Sequence, residues 1–101
     1  MGERILTQHP DPDKQGVNIA RTKYELIHQA ILDGIREHGE ITFQDLTRAV
    51  RDRVQGRFEG SVSWYVTTVK VDLEARGLIQ RVAGSRPQRI HLAGRYQDAH
   101  Q

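Results

Sequence analysis

The chain of 101 residues contains no cysteine. That excludes a disulfide framework, a thiolate metal site and a cysteine nucleophile. No apolar run approaches the ~18–20 residues a membrane span requires. The opening stretch, MGERILTQHPDPDKQG, lacks the long apolar core of a signal peptide. There is no glycine-rich phosphate loop and no nucleophile elbow, and His9, His28, His38, His91 and His100 show no metal-ligand spacing. These absences leave one soluble, cytoplasmic, non-enzymatic domain as the expectation, with no cofactor, no metal, no membrane partner and no small-molecule ligand identifiable. One further absence is local. Residues 76–95 hold five arginines and not one acidic side chain.

Charge is otherwise nearly balanced, at +2 overall. Residues 1–60 carry nine Lys/Arg against ten Asp/Glu, a net −1, and residues 61–101 carry six against three, a net +3. Such an asymmetry points towards a polyanion, although a basic end is also an ordinary solvated surface.

The first segment is broken by His9-Pro10, Asp11-Pro12 and Gly16. Proline disfavours helix in itself and in its predecessor, so residues 1–19 read as an irregular arm that packs on the domain through Ile5, Leu6, Val17 and Ile19. His9, Asp11 and Asp13 lie close together, but the aspartates read as turn formers. From about residue 21, Tyr24, Ile27, Ile31 and Ile35 recur at helical spacing, ending at His38-Gly39. Ala20 is the expected cap, between Ile19 and Tyr24 as a hydrophobic staple. Leu26 falls opposite the apolar stripe, and either the arm or a partner subunit is expected to fold over it, the arm being the nearer. His28, at the stripe's edge, reads as a half-buried packing residue.

Glu40-Ile41-Thr42 reads as a short extended piece, and Thr42 with Asp45 as an acidic capping box that opens a second helix over 43–54. Its apolar face is Phe43, Leu46, Val50 and Val54, with Arg48, Arg51 and Asp52 towards water. After a loop, QGRFEG, a third helix spans about 61–76 on the stripe Val62, Val66, Val69 and Leu73. Its β-branched content makes it dependent on packing. Gly77 and Leu78 are placed for a Schellman ending. LIQRVA and QRIHLA then flank the turn signal GSRP, which reads as a β-hairpin, and residues 94–101 read as a flexible tail.

Helix, strand, helix, helix, hairpin is the order of a winged helix-turn-helix, and the resemblance covers residues 20–93. The fold class expected is therefore α+β, mainly α: a three-helix winged helix-turn-helix with a C-terminal β-hairpin wing. LEARGLIQRVAGSRPQRIHL resembles the passage from third helix to wing in many bacterial winged-helix regulators. HPDPDKQGVNI with SWYVTTVKVDLEARGLI resembles a family of small bacterial winged-helix proteins of uncharacterised function. The resemblance implies duplex DNA binding by a small transcriptional regulator or architectural factor, with the third helix in the major groove, and it suggests a homodimer.

At ~100° per residue the face opposite the apolar stripe carries Trp64, Thr67, Thr68, Val71 and Ala75, with Tyr65 and Lys70 on its flanks and Ser61 and Ser63 at its amino end. The expected DNA-binding residues are therefore Ser61, Ser63, Trp64, Thr67, Thr68 and Lys70 on the helix. Arg81, Arg86 and Arg89 join them from the wing. The helix is poor in the residues that read guanine and adenine. An exposed tryptophan with aliphatic neighbours also suits a protein interface, so a docking or dimerisation module using Trp64, Thr68 and Val71 is the alternative.

Overall fold

The computed structural model describes residues 2–11 and 13–93, so the expected tail at 94–101 lies outside the described residues. Strand β1 (Arg4–Leu6) pairs antiparallel with β2 (Asn18–Ala20), with Ile5 opposite Ile19. Helix α1 (Arg21–His38) follows at once, then β3 (Ile41–Thr42), α2 (Phe43–Val54), α3 (Val62–Ala75), β4 (Ile79–Arg81) and β5 (Arg89–Leu92). The result is a small α+β globule, roughly half helical, with a two-stranded sheet and a three-stranded antiparallel sheet ordered β3-β5-β4. No helix among the described residues is long and apolar enough to cross a membrane.

The helices meet on the faces that their spacing dictates. Ile27, Ile31 and Ile35 from α1, Leu46, Val50 and Val54 from α2, and Val66, Val69 and Leu73 from α3 are buried together. Ile79 and Ile90 close the core from the sheet. Burying each such side chain contributes ~1.5–3 kcal/mol, which offsets the poor helix propensity of the Val66–Val69 stretch. Thr67 Oγ1 donates to the carbonyl of Ser63 at 2.9 Å, a local bond that keeps its hydroxyl satisfied within the helix.

The helix ends follow local chemistry. The Thr42 hydroxyl accepts from the Asp45 N–H at 3.1 Å, and Ser61 accepts from Trp64 N–H at 3.2 Å. At the end of α3, Gly77 N–H donates to Glu74 O at 3.1 Å and Leu78 N–H to Leu73 O at 3.0 Å, a Schellman pair. It requires a left-handed residue, and Gly77 supplies it at φ 80°. The β4–β5 turn is braced by Ser85, whose hydroxyl donates to Val82 O and accepts from Arg89 N–H, both at 2.9 Å.

Two expectations about the arm need correcting. It is not irregular throughout, because the β1–β2 ladder holds its two ends side by side. Thr7 N–H extends that ladder by donating to Val17 O at 2.9 Å, and Val17 N–H returns to Thr7 Oγ1 at 2.9 Å. Gly16 is needed for this close approach, since a Cβ there would fall 1.6 Å from the Thr7 carbonyl oxygen. Ile19 is buried and Ile5 packs on the core, but Leu6 is 60% and Val17 38% exposed.

The arm also does not cover Leu26. That residue lines a cleft with Thr22, Lys23 and the loop at 56–59. Lys23 Nζ draws the loop in by donating to Glu59 O at 3.0 Å and standing 5.5 Å from the Phe58 ring centre. The arm runs instead to α3.

Candidate nucleic-acid interface

A buried carboxylate fixes where the arm meets α3. Asp72 is fully buried, and its oxygens accept from Gln8 N–H at 2.7 Å, from Arg76 Nε at 2.9 and 3.0 Å, and from the Tyr24 hydroxyl of α1. Burial and the adjacent Asp72 hold the Tyr24 phenol far above its ordinary pKa, so it remains a donor. The hydrogen bond to Asp72 strengthens the hold of Arg76 on its proton. His28 packs edge-on against Tyr24 at 5.4 Å, and burial lowers its pKa below the usual 6.5. The arm, α1 and α3 thus share one ionic centre.

From that anchor the arm lies beside the outward side of α3. A groove of about 240 Å³ separates them, walled by Gln8, His9 and Gln15 on the arm and by Trp64, Thr67 and Thr68 on the helix. Trp64 is 46% exposed, with its ring edge-on to Tyr65 at 4.9 Å. Tyr65 in turn meets Phe58 edge-on at 4.9 Å. His9 and Asp11 are occupied as turn acceptors: Asp11 N–H donates to His9 Nδ1 and Asp13 N–H to Asp11 Oδ1, each at 3.0 Å. Among the described residues, no group of three or more His, Asp or Glu side chains is placed to hold a metal ion.

The expected site residues divide into three sets. Ser61, Ser63, Trp64 and Thr67 are exposed and Thr68 is half-buried, all on or at the start of α3. Arg86 and Arg89 are exposed on the hairpin, and neither has a carboxylate partner among the described residues. Lys70 and Arg81 form the third set. Lys70 is 7% exposed, paired with Glu74 at 2.8 Å and standing 5.4 Å from the Phe43 ring centre. Its expected place on a solvent-facing flank is therefore wrong. It sits ~80° from Val62 around the helix, on the shoulder of the core stripe, and α3 is covered on both shoulders. Arg81 is exposed, but its Nε is held by Glu74 Oε2 at 3.0 Å.

One cation escaped the sequence reading. Arg51, expected only to face water, reaches from α2 to the first turn of α3, where its Nη2 donates to Ser63 Oγ at 3.2 Å. It has no carboxylate partner among the described residues, whereas Arg48 pairs with Asp45 and Arg53 with Glu37. Only the packing of α2 against α3 brings it there; its sequence spacing gives no sign. Asp72 did carry a signal, because an acidic residue beside Leu73 with Arg76 four positions on is a buried-shoulder ion pair in outline.

Residues 4–90 match the sequence profile of a described family. The chain belongs to DUF6958, a family of unknown function. The DUF6958 match opens within β1 and reaches into β5, so it takes in the arm, all three helices and the hairpin, and both walls of the groove. No curated protein and no solved structure matches the chain.

Proposed function

We propose that this DUF6958 chain is a winged helix-turn-helix domain that binds duplex DNA without catalysing a reaction. The order α1-β3-α2-α3-β4-β5 supports the fold reading, with β3 lying against β5 rather than β4. So do the seven-residue link between α2 and α3 and the antiparallel β4–β5 hairpin that follows α3. α3 is the recognition helix in this reading, with Ser61 and Ser63 able to donate to phosphates or base edges and Thr67, whose proton goes to Ser63 O, able to accept from a base edge.

The observation that carries the proposal is the distribution of unneutralised charge. Arg21, Arg36, Arg48, Arg53, Lys70, Arg76 and Arg81 are all paired with carboxylates. Among the described residues Arg4, Lys14, Lys23, Arg51, Arg57, Arg86 and Arg89 are not. Arg4, Lys23 and Arg57 donate to backbone carbonyls and Lys14 lies on the arm, whereas Arg51 lies at the first turn of α3 and Arg86 and Arg89 on the hairpin that follows it. Phosphates are the partner that such arginines lack, and counterion release would supply the affinity. A fluorescence-anisotropy titration of a labelled random duplex at several salt concentrations tests it. Binding that weakens steeply with salt supports the proposal, and no binding at low salt refutes it. The exposed indole of Trp64 favours a second reading, a protein-docking module, and that second outcome would direct attention to it.

A further inference from the structure

The groove between the arm and α3 has a composition unlike the rest of the surface. Charged residues make up 28% of the chain, yet none of the described side chains lining the groove is Asp, Glu, Lys or Arg. An ion entering it would lose water without gaining a counter-charge, so its occupant is neutral. The helix wall offers an indole, half exposed and held in one orientation by the edge-on contacts through Tyr65 to Phe58. The arm wall offers the two amides of Gln8 and Gln15, each able to donate and to accept. His9 adds a ring whose Nδ1 is taken by Asp11 N–H, which leaves the proton of the neutral ring on Nε2. Val17 and Val71 complete the lining with apolar surface.

Size narrows the class further. About 240 Å³ is below the ~300–1,000 Å³ of pockets that enclose drug-sized ligands. It admits one flat ring system rather than a helix or a folded segment. The walls are also preset, because Gln8 is tied to the buried Asp72 and the Thr7–Val17 bonds fix the other limb of the arm.

We infer that this groove binds a neutral, planar nitrogen heterocycle, a nucleobase, stacked on Trp64 and hydrogen-bonded along its edge by Gln8, Gln15 and Thr67. Stacking on an aromatic side chain tolerates any base, and the amides add selectivity. This site does not depend on duplex binding by the hairpin arginines. The base arrives either in a free nucleoside or in a single strand, and the two sources share this chemistry.

The chain's single tryptophan makes the test direct. The full chain is titrated with adenosine, guanosine, cytidine and thymidine, and separately with short single-stranded homopolymers, while Trp64 emission and backbone amide shifts are followed. Saturable quenching is expected, with shifts concentrated at residues 7–9, 15–17 and 64–71. An oligonucleotide binding at least tenfold more tightly than its own nucleoside identifies a single strand as the source, and equal or weaker binding identifies the free nucleoside. Gln15 and Thr67 are exposed, so Gln15→Ala and Thr67→Ala are expected to fold as the parent does, checked by melting. Each is expected to weaken binding by roughly three- to tenfold, the loss of one neutral hydrogen bond. No saturable response to any nucleoside or oligomer at millimolar concentration overturns the inference. So do shifts confined to the hairpin, or undiminished affinity in both variants.

Discussion

Replacing Asp72 with asparagine keeps the shape of the side chain and removes its charge. The carboxylate takes donors from Tyr24, Arg76 and the Gln8 backbone, and it is fully buried. Breaking a buried ion pair by removing one partner costs ~3–5 kcal/mol. Two features reduce that figure here. The asparagine oxygen still accepts from Gln8, and its amide can donate to the Tyr24 oxygen. The Arg76 side chain is 31% exposed, so water can take over part of its solvation. The expected loss is therefore about 2–3 kcal/mol, set against total stabilities of ~5–15 kcal/mol. At ~4–8 °C per kcal/mol for a domain near this size, the melting temperature should fall by roughly 8–24 °C. Urea unfolding measures the loss, and amide hydrogen exchange locates it. Residues 5–8 and 17–19 should lose protection before the helical core, because Gln8 is the arm's tie to α3. A loss under ~0.5 kcal/mol with unchanged protection in the arm would refute the reasoning.

Gly16→Ala should detach the same segment by another route, since its Cβ would meet the Thr7 carbonyl; exchange at Thr7 and Val17 should rise while the protection of α1 and α2 persists. Stability should also fall in acid through His28. Its folded pKa lies below the usual 6.5, so the neutral ring's contribution is complete above about pH 6.5 and is lost as pH drops through the lower folded value. Unfolding midpoints from pH 7.5 to 5 should decline in the parent and decline less in His28→Gln. Lys70→Ala should destabilise the fold by removing a buried partner of Glu74, yet leave the salt slope of duplex binding unchanged. Thr67→Ala should alter preference among duplex sequences rather than affinity for all of them, as competition between unlike duplexes would register.

Most of the framework was legible because it rests on local chemistry. The isoleucines of α1 recur every three or four residues, Thr42 and Ser61 stand where caps belong, and Gly77 can end a helix in one way. What was not legible depends on distant partners. The strand pairing of Arg4–Leu6 with Asn18–Ala20 joins two three-residue pieces that flank a proline-broken loop, too short for any period to register. The Asp72–Arg76 spacing outlines an ion pair on one shoulder of the apolar stripe, but nothing in the spacing of Lys70, on the other shoulder, says that α3 is covered there too. Leu26 was expected to lie under the arm, but it lines a cleft beside the loop around Phe58, which Lys23 holds through Glu59, thirty-six residues away in the chain. The groove was invisible for the same reason, because its two walls meet only when Gln8 reaches Asp72.

The central claim is that Arg51, Arg86 and Arg89 are phosphate ligands, and the salt dependence of duplex binding tests it most directly. Anisotropy titrations of the parent and of the triple variant R51A/R86A/R89A, at matched salt concentrations, give the two log–log slopes. Each lost phosphate contact lowers the slope by about 0.9, so the variant's should be shallower by roughly 2.7 on every duplex. Equal slopes for the two proteins, or a parent that binds no duplex at low salt, would contradict it.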